Sequence, residues 1–330
     1  MASGSGGAQS ASRLSAAALL LLAAAARAQT CPANVSTACG PTQTCCPTFE
    51  SLSGFGCCAA AGGVCCPAGP QNQNCCPAGT VCAPDGYGAA CVPAGGGANL
   101  SAIHVCPPGA AQPPAAGGGL PAVITIGDSV SEGYQPVLAA NLSRVAFVQH
   151  SPFSTGGGAD DVAHGVACEE NFLRTAMYEE ARWDVITYNF GLHNIGPGAN
   201  NSANYAMYEA ALTNFTARLM QTGAKLLYVA TTPQMQEEYF GNLAVPALND
   251  VARRVTAAAG IPFADLYSHV TARCGERYFA CDICDDESAG WPPGSPPGAI
   301  CGYHYTAVGY AYLVDFLAPI VAGLAGATGK

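Results

Sequence analysis

Charge is scarce in this chain. Only 10% of its 330 residues are Asp, Glu, Lys or Arg, and 12 basic residues face 22 acidic ones. A polyanionic partner requires a basic face, so nucleic acid is not an expected partner, nor is an anionic membrane surface. No phosphate-binding loop is present. Between Cys31 and Cys91 there is no lysine, arginine or histidine and very little aliphatic residue, so that stretch can build neither an apolar core nor a mixed Cys/His metal site. Neither a cofactor nor a metal is expected. The longest apolar run near the start, residues 16–26, is too short to cross a bilayer.

What the N-terminus does hold reads as a secretory signal over residues 1–28: Arg13, the apolar run "AAALLLLAAAA", and the small-x-small site Ala26-Arg27-Ala28. An even count of 18 cysteines fits an oxidising compartment. Asn-x-Ser/Thr sequons at Asn34, Asn99, Asn141, Asn200 and Asn214 point the same way. The expectation is a secreted, extracellular glycoprotein. The apolar C-terminus "AYLVDFLAPIVAGLAGATGK" is interrupted by Asp315 and Pro319 and reads as a terminal helix packed on the core.

Twelve cysteines fall between residues 31 and 91 as two singles (Cys31, Cys39), four adjacent pairs (Cys45-Cys46, Cys57-Cys58, Cys65-Cys66, Cys75-Cys76) and two singles (Cys82, Cys91). Adjacent cysteines bond each other only with strain, so each pair is expected to bridge to different neighbours across a ladder of short hairpins. With "TCCPT", "GCC", "VCCPAG" and "NCCPAGTVC", residues 29–92 resemble a granulin repeat. Residues 93–120, rich in Gly, Pro and Ala without periodicity, read as a linker. Six cysteines remain for three further bridges: Cys106, Cys168, Cys274, Cys281, Cys284 and Cys301, one of them a means of pinning the linker to the large domain.

From residue 121 to 330 short apolar runs alternate with helix-length segments. The runs "PAVITI", "RVAFVQH", "WDVITYNF", "AKLLYVATT" and "IPFADLY" are strand candidates. "YQPVLAANL", "EENFLRTAMYEEA", "NYAMYEAALTNFTARLMQ" and "LAVPALNDVARRVTAAA" are helical between them. That alternation predicts an α/β fold with a parallel sheet covered on both faces, whose ligands bind at the carboxyl ends of the strands. "ITIGDSVSEGY" puts Ser129 at such an end. A nucleophilic serine needs a base and a set of oxyanion donors. Six histidines are available, and His304 in "YHYTAVGY" lies in a loop after all the strands, where it would meet an early strand-end serine across the top of the sheet.

In this order the blocks resemble an SGNH, or GDSL-type, hydrolase of the branch that carries Gly-Leu-His. "IGDSVSEGY", "SPFSTGGGADD", "NFGLHNI" and "YHYTAVGY" stand in the places of its four blocks. The resemblance implies a flavodoxin-like parallel sheet sandwiched by helices, preceded by the small disulfide-rich hairpin module. It also implies a serine esterase, with Ser129 as nucleophile and His304 as base in a two-step acyl transfer. The oxyanion donors it implies are the Ser129 N–H, a glycine of the 156–158 run, taken as Gly157, and a side chain from His193 or Asn194. Three departures stand out. His193 holds the usual Asn slot. Cys301 and Gly302 hold the positions of the orienting acid, so the triad shrinks to a dyad or borrows an acid from "CDICDDESAG": Asp282, Asp285 or Asp286. The second-block glycine is not fixed within its run.

The expected partner is an ester substrate, with acetyl esters of extracellular polysaccharide or lipid as candidates. An acyltransferase uses the same acyl-enzyme. A different class, an inactive extracellular protein binding protein or glycan through its cysteine-rich module, is favoured by the missing acid and opposed by the retained Ser129 and His304. A thiol hydrolase built on Cys168 lacks the flanking signature in "VACEENFL".

Overall fold

The computed structural model describes residues 39, 43–47, 55–66, 74–82, 90–95, 100–101, 103–106, 119–151, 159, 161–173, 183–195, 201–233, 244–275, 281–285 and 301–326. The expected signal segment, Cys31, Gly157, Asp286 and the sequons at Asn34, Asn99 and Asn200 lie outside these residues.

Among its described residues the cysteine-rich region forms eight short strands: β1 (Thr44–Pro47), β2 (Phe55–Cys58), β3 (Val64–Cys65), β4 (Asn74–Cys76), β5 (Thr80–Cys82), β6 (Ala90–Pro93), β7 (Leu100–Ser101) and β8 (Ile103–Cys106). They make two sheets, β1-β2-β8-β4-β3 and β5-β6-β7, antiparallel throughout. The adjacent cysteines split between neighbours, since side chains one residue apart on a strand point to opposite faces. Cys57 bonds Cys39 while Cys58 bonds Cys75; Cys65 bonds Cys46 while Cys66 bonds Cys82; Cys76 bonds Cys91. The segment 93–120, read as linker, departs from that reading. Its β-branched "IHVC" run becomes the central strand β8, and Cys106 at its end bonds Cys168.

Five parallel strands form the second region: β9 (Ala122–Ile126), β10 (Phe147–His150), β11 (Val185–Tyr188), β12 (Lys225–Val229) and β13 (Phe263–Ala264), in the order β10-β9-β11-β12-β13. All five residues of β9 are buried, as a strand covered on both faces requires. Among the described residues, six helices supply the cover: α1 (Ser129–Leu142), α2 (Val162–Leu173), α3 (Ser202–Met220), α4 (Ala244–Ala258), α5 (Leu266–Cys274) and α6 (Ala307–Leu324). Val123, Val185, Leu227 and Val229 pack with α1, α5 and α6 on one face. Ile124, Ile126, Ile186 and Tyr228 pack with α2, α3 and α4 on the other.

The five expected strands are present, somewhat shortened. The helices differ more. α1 begins at Ser129, five residues before the expected start, because Asp128 caps it. α2 precedes its expected place, and the described part of "EENFLRTAMYEEA" is only its last turn. α5 grows out of the expected strand "IPFADLY", because Asp265 caps a helix there and accepts from Ser268 N–H. α6 is long and apolar enough to cross a membrane, yet Leu313, Val314, Leu317, Ala318 and Val321 are buried against the sheet.

Candidate active site

The order 2-1-3-4-5 of the sheet reverses direction between β9 and β11, and that crevice is where open α/β sheets bind ligands. Ser129 follows β9 after Gly127 and Asp128. Asp128 is the N-cap of α1, its Oδ1 accepting from Val130 N–H at 3.1 Å, which makes Ser129 the first helical residue. The Ser129 N–H is therefore one of the amides left without an intrahelical acceptor at the positive end of the helix.

His304 reaches the serine from the far end of the sequence, its Nε2 lying 2.7 Å from Ser129 Oγ. Backbone pairing holds it there. Asp285 N–H donates to the His304 carbonyl (3.0 Å), Gly302 N–H to the Asp285 carbonyl (2.9 Å) and Thr306 N–H to the Ile283 carbonyl (3.0 Å). The disulfides Cys274–Cys281 and Cys284–Cys301 staple both sides of this clasp. Thr306 then caps α6. Of the three acids considered for orienting the imidazole, Asp282 has its carboxylate on Arg273 at 2.6 and 3.1 Å, so its charge is already paired elsewhere. Asp285 contributes main-chain bonds beside His304, and Asp286 is not described.

The third block is fixed by a crowded carbonyl. Phe190 C=O accepts from Tyr208 OH (2.7 Å), Tyr228 OH (2.8 Å) and Thr231 Oγ1 (3.0 Å). The next residue must be glycine, because a Cβ on Gly191 would lie 2.0 Å from Thr231 Oγ1. The chain then makes one 3-10 turn, Leu192–Asn194. Asn194 Oδ1 accepts from Val162 N–H at 3.4 Å, so that side chain ties the turn to α2. His193 lies near enough to Asp128 and Glu132 to act on both carboxyls.

Two acids beneath the serine escaped sequence reasoning. Burial pushes the Asp128 carboxyl up against the opposing pull of His193, the capping amides and His304. Glu132, one turn along α1, is pushed up to about 7 by burial and by the neighbouring Asp128 carboxylate, again opposed by His193. The signal available was "GDSVSE" itself, since residues 128, 129 and 132 share one helical face when the helix starts at 129.

Residues 125–312 match the model of the GDSL-like Lipase/Acylhydrolase family. No curated protein sequence matches the chain. Among solved structures it is similar to an acetyl xylan esterase, AlAXEase, at 13% identity, with 61% of this chain and 99% of that one covered and a TM-score of 0.45. It is also similar to the lipase/acylhydrolase from Enterococcus faecalis (16% identity, 62% and 96% covered, TM-score 0.45). A catalytic mutant of an acetylxylan esterase from Geobacillus stearothermophilus is a third (11%, 62% and 94%, TM-score 0.43). The family match begins inside β9 and ends inside α6, so it takes in both the capped serine and the clasped histidine: the chain belongs to the GDSL-like lipase/acylhydrolase family of ester-bond hydrolases.

Proposed function

We propose that the protein is a secreted serine esterase that cleaves a carboxylic ester through a Ser129–His304 acyl-enzyme. The observation that carries this reading is the 2.7 Å contact between Ser129 Oγ and His304 Nε2 at the switch point of the sheet. His304 takes the hydroxyl proton as Ser129 attacks the ester carbonyl. The oxyanion draws on the Ser129 N–H, on Gly157 and on His193, with Asn194 holding the turn. His304 returns its proton to the leaving alcohol, and water releases the acyl group with His304 again as base. With Cys301 and Gly302 in the usual place of the acid, the main-chain clasp at Asp285 and Gly302 positions His304, and Asp285 and Asp286 stay the candidates for orienting its ring. The substrate class is an acetyl ester of extracellular polysaccharide or lipid. Residues 29–92 act as a granulin-like module that contacts protein or glycan. Exposed Asn141 on α1 and Asn214 on α3 are glycan acceptors, together with Asn34, Asn99 and Asn200.

Labelling with a fluorophosphonate probe and peptide mapping tests the mechanism. Label on the Ser129 peptide, lost in His304→Ala, is the expected result. A folded, disulfide-intact protein that takes no label would sink it. That outcome would favour the second reading, an inactive binding protein, for which the disulfide at Cys301 in the acid's place speaks.

A further inference from the structure

A second serine–histidine contact lies two residues past the nucleophile, wholly inside the protein. Ser131 Oγ is 2.7 Å from His150 Nε2, and both residues are buried. The same Oγ donates to the Asp128 carbonyl at 2.6 Å. On the other side of the ring, His150 Nδ1 lies 2.8 Å from the Ser151 carbonyl. A carbonyl only accepts, so Nδ1 carries a proton. Burial holds this imidazole down at about 4, hence neutral near pH 7, which leaves Nε2 an acceptor. The single Ser131 proton therefore lies between two acceptors, the His150 ring and the Asp128 carbonyl.

The sequence makes room for this. A Cβ at Gly127 would come within 2.7 Å of Ser131 Oγ, so the glycine of Gly-Asp-Ser is what lets the hydroxyl approach the turn. His150 ends β10, in register with Thr125 of β9, and the Ser151 N–H continues that pairing onto the Thr125 carbonyl at 2.8 Å. The chain thus runs from a neighbouring strand through a ring and a hydroxyl to the residue just before Ser129.

We propose that His150 is a positioning residue for the nucleophile: acting through Ser131, it holds the Asp128–Ser129 turn where Ser129 Oγ meets His304. The role rests on the Ser129–His304 mechanism. His150 touches no reacting atom, and its effect falls on kcat, because a turn shifted by a fraction of an ångström misaligns attack without removing substrate contacts.

The test uses the full-length secreted protein with 4-nitrophenyl acetate as the probe ester. His150→Leu and Ser131→Ala are expected to lower kcat about tenfold to a hundredfold with KM within about twofold. His150→Gln, which can accept from Ser131 and donate to Ser151, is expected to restore most of that loss. The side-chain nitrogen NMR signal of His150 Nε2 should move in Ser131→Ala, reporting the lost donor. Wild-type labelling at Ser129 separates the two ideas. A labelled wild type whose His150→Leu and Ser131→Ala variants keep full kcat, losing only melting temperature, overturns the positioning role alone. An unlabelled, inactive wild type overturns the mechanism and this role with it. If His150→Leu does not fold, Ser131→Ala and His150→Gln decide the matter, since neither changes the packing volume greatly.

Discussion

Among the described residues between Cys46 and Cys106, the buried hydrophobic set is cysteine with the single exception of Val105; between Ala122 and Val321 it is dominated by Val, Ile, Leu, Phe and Tyr. One region keeps its shape by covalent links between two- to four-residue strands. The other does so by burying both faces of a five-stranded sheet. The contrast follows from size. A stretch of some sixty residues with very few aliphatic side chains cannot offset its chain entropy by burial, whereas a domain of about two hundred can. The Ser129–His304 contact lies in the second region, and the proposed mechanism asks for that, because a nucleophile held to within a fraction of an ångström needs a rigid sheet beneath it. The two strategies meet where precision is needed outside the sheet. The clasp around His304 lies in a loop, and it is there that Cys284–Cys301 and Cys274–Cys281 recur.

The contrast can be broken at several points. The largest effect is expected from Ser129→Ala, which should lower kcat roughly a million-fold while leaving the melting of both regions unchanged. Activity surviving in that variant would place the chemistry elsewhere. Phe215→Ala removes a ring that packs edge-on to Phe190 at 5.0 Å, and should cost the sheet domain about 3–5 kcal/mol in a denaturant melt. Hydrogen exchange in the same sample should leave the cysteine-rich region as protected as before. The converse pair, Cys58→Ser with Cys75→Ser, should cost about 2–5 kcal/mol of that region's stability and leave esterase turnover within a few-fold of wild type.

A pH series sharpens the comparison further, because Glu132 and His150 both lie in the sheet domain. His150 sits at about 4 in the fold and near 6.5 unfolded, so the unfolded chain binds the extra proton between those values. Stability is then lost as pH falls from 6.5 to 4, by up to about 3 kcal/mol. Glu132 works in the opposite sense. Its folded value of about 7 lies above the unfolded 4.5, so its contribution is present below pH 4.5 and lost as pH rises through 7. Melts from pH 4 to 8 should show Glu132→Gln gaining relative to wild type at the alkaline end and His150→Gln at the acid end. The smallest effect is expected at the junction. Gln43 Nε2 donates to Asn171 Oδ1 at 2.8 Å, and Gln43→Ala should cost about 1 kcal/mol or less, since Cys106–Cys168 still ties the regions together.

Much of this was legible from residue order. Continuous apolar runs such as "AVITI" locate strands buried on both sides, and paired cysteines imply bridges to different neighbours, because both patterns are local. Helix starts were less legible. "GDSVSEGY" looks like a turn until Asp128 is seen capping the amides ahead of it, and "IPFADLY" reads as strand although Asp265 opens a helix inside it. "IHVC" looked like linker for a related reason, since a four-residue run becomes a central strand only when β2 and β4 are there to receive it.

Residue order by itself determined which side chains are candidates for the proposed chemistry. A serine after a buried strand and a histidine after the last strand in a family-ordered set of blocks are written along the chain. Only the tertiary structure decided how they are held. Asp128, Ser131 and His150 are brought together because β9 and β10 are parallel neighbours. His304 is placed by main-chain pairing with the 283–285 segment, and Asp282 is drawn away to Arg273. Side-chain identity is local and can be read in order, but hydrogen-bond partners separated by many residues depend on register, burial and the close approaches that glycine permits.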